Sequence, residues 1–325
     1  MEAAGELWQW QSRTDERRLL EILSYGLVGI GALSALLLCF VRMPYGRYFS
    51  HRFGYPVPAR LAWTLQELPS LLVPLGLSLF SGAARLSEWP NRVLVALFIV
   101  HYAHRYQCGS TRSVPPGSPA AQPPRGNHSV QGAAGRPSFR REAQPSLGVC
   151  PGLALRGKGT RFARALIFPV LIRGGKPTPF ITFALALIFC VYNGYLQGRS
   201  LSNYAEYPSG WLKGPCFIVG FAGWLSGMAI NIYSDHILRN LRKPGETGYK
   251  IPRGGLFEYV TGANFFGEIL EWFGFALASC TFESAAFAIC TLFILGSRAH
   301  HHHQWYLEKF EDYPKSRKIV IPFVF

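Results

Sequence analysis

Long apolar stretches, each closed by a short polar or basic segment, recur along the chain. They lie at about 19–41 (LLEILSYGLVGIGALSALLLCFV), 61–81, 91–105, 179–197, 214–232, 261–280 and 283–297. Each approaches the ~20 residues that cross a bilayer's hydrocarbon as a helix. The pattern predicts an all-α multi-pass membrane protein, a seven-transmembrane-helix bundle. The third span is short, because NRVLVALFIVHYAHR stops at Arg105 and an apolar pattern returns only at Leu166.

Between those points, residues 107–164 are rich in Pro, Gly, Ser and Arg and lack apolar periodicity. Such a segment buries too little apolar surface to offset its ordering entropy, so a disordered insertion is expected. The predicted organisation is an N-terminal segment at 1–18, a membrane domain made of 19–106 and 165–325, and the insertion at 107–164. Asn127-His128-Ser129 is a glycosylation sequon by pattern and matters only if this segment faces the lumen.

Composition agrees with a membrane protein: 49% of residues are hydrophobic and 16% charged. The net charge of +15 suggests nucleic acid until the basic residues are located. Residues 107–164 alone hold nine Lys and Arg against Glu142, and others flank apolar runs, as Arg239, Arg242, Lys243, Lys250 and Arg253 do. Basic and aromatic residues do not interleave as in a binding module, so no nucleic-acid partner is expected. The basic loop after the fifth span and the basic C-terminal tail are expected in the cytosol, which with seven spans puts the N-terminus in the lumen. The start MEAAGELWQWQSRTDERR has no signal-peptide pattern, so the first apolar helix is expected to act as the anchor. The seven cysteines are scattered, with neither a disulfide framework nor zinc spacing.

Polar side chains inside spans are costly and mark candidate function. Four groups stand out: Gln66 and Glu67; His101, Tyr102, His104 and Arg105; Asn231, Asp235 and His236; and Asn264, Glu268, Glu271 and Trp272. Asn231, Asp235 and Arg239 recur every four residues, as do Asn264, Glu268 and Trp272, so each set shares one helix face. Either face lines a polar cavity or supplies interhelical hydrogen bonds. The chain has no Walker A or Rossmann glycine fingerprint. Arg239, Arg242, Lys243 and Lys250 suit phosphate recognition by guanidinium forks, or simply mark cytosolic topology or lipid contact. The run His300–His303 lacks the carboxylate and spacing of a metal site, and no metal is expected.

The segments LQELPSLLVPL, VHYAHR, INIYSDHILRNLRKPGETGYKIPRGGLFEYVTGANFFGEILEW and HHHQWYLEKFEDYPKSRKIVIPFVF resemble the steroid 5α-reductase family, above all its type one members. The likeness covers about 20–106 and 165–325, and the insertion has no counterpart in it. The resemblance implies a seven-helix protein of the endoplasmic reticulum membrane. It also implies reduction of the Δ4 bond of a 3-oxo steroid that enters from the bilayer, with NADPH from the cytosol. Glu67 and Tyr102 match the pair that polarises the steroid 3-keto oxygen. Arg173, Asn231, Asp235, Arg239, Arg242, Asn264, Glu268, Trp272, Arg298, His302 and Tyr306 match NADPH contacts. Because the insertion follows Tyr102 closely, lowered activity is expected. Two other readings stand beside this one: a membrane enoyl reductase acting on acyl-CoA or a polyprenol, and a seven-helix receptor or transporter.

Overall fold

The computed structural model of the chain describes residues 2–41, 49–80, 82–111, 177–242, 246 and 248–325. Seven long helices appear among them: α1 (Glu2–Phe40), α2 (Ala59–Phe80), α3 (Trp89–Thr111), α4 (Phe180–Arg199), α5 (Pro215–Asn240), α6 (Ala263–Ser279) and α7 (Phe282–Lys309). Four stretches, Asp15–Phe40, Phe180–Tyr204, Pro215–Asn240 and Phe282–Lys309, are long and apolar enough to cross a membrane. The chain is therefore an all-helical, multi-pass membrane protein. The expected count of seven spans is larger, because α2, α3 and α6 fall outside that set. For α6 the reason is its length, 17 residues, short of the ~20 that cross a bilayer.

Helix ends depart from the apolar runs. α1 begins at Glu2, well before the run at 19, and α7 carries on from its run through the four histidines to Lys309. α3 continues past Arg105 to Thr111, since hydrogen bonding within a helix does not stop where hydropathy does. The body of the insertion and Arg173 lie outside the described residues.

Two-residue strands β1 (Pro56–Val57) and β2 (Thr178–Pro179) pair antiparallel, Pro56 opposite Pro179. They bring the starts of α2 and α4 to one end of the bundle, where α1, α3, α5 and α7 finish. At the opposite end the carboxylate of Glu16 accepts from Arg199 Nε at 2.7 Å and from the hydroxyls of Tyr195 and Tyr204. Cations occupy both ends: Arg239, Arg242, Lys250, Arg253, Arg317 and Lys318 belong to the segments at the strand-bearing end, and Arg85, Arg92, Arg199 and Lys213 to those at the other.

Small residues decide how closely the helices approach. A Cβ on Gly220 would lie 2.3 Å from the Ala278 nitrogen, one on Gly227 2.3 Å from that of Glu271, one on Gly274 2.2 Å from that of Trp224, and one on Gly267 2.6 Å from that of Asn231. These contacts descend α5 as they climb α6, so the two helices run antiparallel with touching backbones, the small-residue packing open to helices in lipid. Aliphatic side chains such as Leu33, Leu37, Leu185, Ile188 and Val219 point outward, as hydrocarbon solvent permits.

Candidate active site

Register in the α5–α6 pair carries the polar residues with it. Asn231 Nδ2 donates to the Asn264 carbonyl at 2.9 Å, and Asn264 Nδ2 reaches Asp235 Oδ1 at 3.5 Å. Asp235 and Asn264 are buried, while Asn231 and Glu268 are partly buried. Arg298 of α7 lays its guanidinium over the Phe265 ring at 5.2 Å, and His302, one turn on, meets the same ring edge-on at 5.6 Å. Arg239 is half-buried at the end of α5, and Arg242 stacks over Tyr249 at 5.6 Å.

The floor of this region rests on the C-terminal tail. Lys318 N donates to the Tyr259 carbonyl at 2.8 Å, Thr261 N to the Lys318 carbonyl at 2.9 Å and Gly262 N to that of Ile319 at 3.0 Å. Arg317 is buried, donates to the Pro252 carbonyl at 3.0 Å and faces Glu258 at 3.4 Å. The Gly254 N–H, 2.5 Å away, together with the cations of Arg317 and Arg253, holds the Glu258 carboxyl below its usual range. Tyr306 is buried in a stack with Phe310 and Tyr313.

Deeper in the bundle α3 meets α6. Tyr102 is buried with its ring 5.9 Å from that of Trp272, and Phe98 lies against both. Beside them His101 Nδ1 and Glu271 Oε1 are 2.6 Å apart, with both side chains almost wholly buried. From α4, Asn193 Nδ2 donates to the Tyr102 phenol oxygen at 3.5 Å. Gln197 Nε2 bonds Asn193 Oδ1 at 3.3 Å and the Glu283 carbonyl at 2.9 Å. Glu67 is half-buried on α2, next to the buried Gln66.

Known proteins share this chain's sequence over most of its length. A family profile described as 3-oxo-5-alpha-steroid 4-dehydrogenase matches residues 176–325. The 3-oxo-5-alpha-steroid 4-dehydrogenase 1 of Bos taurus is 48% identical over 311 residues, covering 95% of this chain and 98% of that protein. The type 1 protein of Homo sapiens is 45% identical, with 95% and 97% covered. The type 2 protein of Homo sapiens is 40% identical over 304 residues, with 92% and 94% covered. The chain belongs to the steroid 5α-reductase family.

In this steroid 5α-reductase relative, the residues singled out in sequence fall into three places. Asn231, Asp235 and Asn264 are hydrogen-bonded together, and Arg298 and His302 share Phe265. Tyr102 and Trp272 form the junction with α3. Tyr306 belongs to the aromatic stack under the tail. Two features escape a residue-by-residue reading of the sequence. Asn193 and Gln197 sit in the apolar run of α4 four residues apart, a helical spacing that flags a shared polar face. The pairing of His101 with Glu271 joins two groups far apart in sequence, and nothing local announces it.

Proposed function

We propose that this chain reduces the Δ4 double bond of 3-oxo steroids to the 5α-reduced product, with NADPH as the reductant. The reading rests on family membership and on one contact above all, the seating of Tyr102 against Trp272. That contact joins the polarising candidate on α3 to the helix that carries Asn264 and Glu268.

The donor set at the basic end suits a dinucleotide phosphate. Arg239, Arg242 and Arg298 match phosphate oxygens, Asp235 and Glu268 match ribose hydroxyls, and Asn231 and Asn264 match a carboxamide. Trp272, His302, Tyr306 and, from the sequence match, Arg173 complete the proposed cofactor contacts. When bound, NADPH supplies a hydride for C5 of the steroid. Negative charge then grows on the 3-keto oxygen, and Tyr102 donates its phenol proton there as the enolate forms. Asn193 occupies a lone pair of that phenol oxygen and not its proton, so the bond it donates is compatible with Tyr102 acting as donor. Glu67 is proposed to orient Tyr102 from α2. Burial of Tyr102 and Trp272 keeps water from the developing charge, which strengthens each of these interactions.

The basic, strand-bearing end is proposed to face the cytosol and the Glu16–Arg199 end the lumen of the endoplasmic reticulum, with all seven helices crossing. The steroid enters from the bilayer. Microsomal membranes bearing the chain are expected to convert testosterone to its 5α-reduced product only with NADPH, and Tyr102→Phe is expected to remove most turnover while the protein remains folded. Unchanged turnover in that variant would overturn the role of Tyr102, and absence of product under all conditions would overturn the substrate. Deleting 112–164, which spares the whole of α3, is expected to raise turnover. Equal rates would sink the idea that the insertion lowers activity.

A further inference from the structure

Two cysteines meet at the end of the bundle remote from the basic site. Cys216 is the second residue of α5 and Cys280 caps the end of α6 in a left-handed backbone conformation. The glycine contacts fix where they fall. Asn231 faces Gly267, Glu271 faces Gly227, Trp224 faces Gly274 and Gly220 faces Ala278, a constant antiparallel register. Cys216 lies one turn before Gly220 on the same face of α5. The register continued by that turn brings it opposite position 282, across from the short turn between α6 and α7 that Cys280 opens. Both side chains are exposed, and partial burial, with the Cys216 thiol as a second cause, pushes the Cys280 thiol up.

The surrounding structure holds this junction in place. Trp211 Nε1 donates to the Ala278 carbonyl at 3.0 Å and the Tyr207 hydroxyl to that of Ser279 at 2.8 Å, so the loop before α5 satisfies the last carbonyls of α6. Ser279, Thr281 and Ser284 hydroxyls interlock within 2.6 Å across the turn into α7. The backbones of α5 and α6 are thus already as close as helices come, and bridging the sulfurs requires no approach of the two helices, the usual obstacle to a cross-link.

The geometry points to a disulfide between Cys216 and Cys280, formed across the lumenal end of the α5–α6 pair as an oxidative modification site of this chain. It rests on the orientation proposed above, because disulfides persist in oxidising compartments and not in the cytosol. The two thiols give up two protons and two electrons as the sulfur–sulfur bond forms. The electrons pass to the disulfide of a lumenal thiol oxidoreductase or of oxidised glutathione, which becomes the dithiol through a mixed-disulfide intermediate. The bond locks the far end of the helix pair whose other end carries Asn231, Asp235 and Asn264.

The test uses the full chain in sealed microsomes. Free thiols are blocked with N-ethylmaleimide under acid-quenched lysis, the protein is then reduced, and newly freed thiols are labelled with a heavier maleimide before peptide mass spectrometry. Cys216 and Cys280 are expected to carry the second label and the exposed Cys39 the first. In Cys216→Ser, Cys280 is expected to move to the first label, and Cys280→Ser should do the same to Cys216. First label on both in the unaltered chain would overturn the disulfide. A membrane-impermeant maleimide applied to intact vesicles of Cys280→Ser tests the orientation separately. Labelling of Cys216 only after permeabilisation supports a lumenal end. Labelling without permeabilisation would overturn the orientation and leave the first experiment to decide the bond by itself.

Discussion

Helix α6 has two neighbours, and it meets them in different ways. Against α5 it offers Gly267 and Gly274, so backbone touches backbone and the spacing between the two helices has no side chain to absorb a change. Against α3 it offers Glu271, Trp272 and Phe275, so the junction is made of rings and one buried His–Glu pair. The first contact behaves as a rigid plate that presents Asn231, Asp235 and Asn264 in one register. The second is built from side chains, whose rotamers can absorb a change that touching backbones cannot.

Damage to the plate is expected to have the largest effect. In Gly274→Ala the new methyl meets backbone 2.2 Å away, and overpacking that only backbone movement can relieve costs ~1–3 kcal/mol or more. Folded yield in detergent and NADPH-dependent thermal stabilisation should both fall sharply. Retention of wild-type NADPH stabilisation by Gly274→Ala would show that the plate is not rigid. Gly29, where an added methyl would meet no atom within 4 Å, supplies the contrast, and Gly29→Ala should be silent in the same assay.

The side-chain junction should respond next. His101→Ala leaves the buried Glu271 side chain without its hydrogen-bond partner, and a buried polar group left unsatisfied costs ~1–3 kcal/mol. Melting temperature should drop and turnover with it, because Tyr102 and Trp272 both pack on the His101 ring. His101→Gln, which keeps a donor, should recover part of the stability. An equal drop in both variants would argue that ring packing and not the hydrogen bond holds α3.

A smaller and more selective effect is expected at Asn193. Its bond to the Tyr102 oxygen is long at 3.5 Å, and a neutral hydrogen bond is worth ~1 kcal/mol, so Asn193→Leu should lower kcat severalfold with little change in KM for NADPH. A change confined to KM for NADPH would count against placing Asn193 beside the reacting phenol.

The smallest effect belongs to pH. Glu258 has its carboxyl held low by the Gly254 N–H and the arginines around it. A depressed folded-state value means the stabilisation is present above the ordinary glutamate range and is lost as pH falls through the lower folded-state value. Because the side chain is largely exposed, the loss is modest. Protection of the Lys318 and Ile319 amides, relative to their intrinsic exchange rates, should fall once pH drops through the depressed Glu258 value, and Glu258→Gln should be less protected already at neutral pH, with no such step.

Much of the molecule is legible in its sequence. Apolar runs locate all seven long helices among the described residues, because a run of that length can bury its backbone polar groups only by pairing them within the segment. Helical spacing puts Asn231 with Asp235 and Asn264 with Glu268, since four residues is nearly one turn. Helix ends are less legible: α3 runs on to Thr111 and α7 to Lys309 through residues that are helical without being apolar.

The sequence by itself determined the helical membrane class, the family and the polar face of each helix, because these follow from composition and from periods within a single segment. Only the tertiary structure decided which faces meet. That Asn264 bonds Asn231, that His101 bonds Glu271 and that Asn193 reaches Tyr102 all depend on the register between helices. Register is set by where glycines let two backbones touch, a property of pairs of helices that no single segment carries.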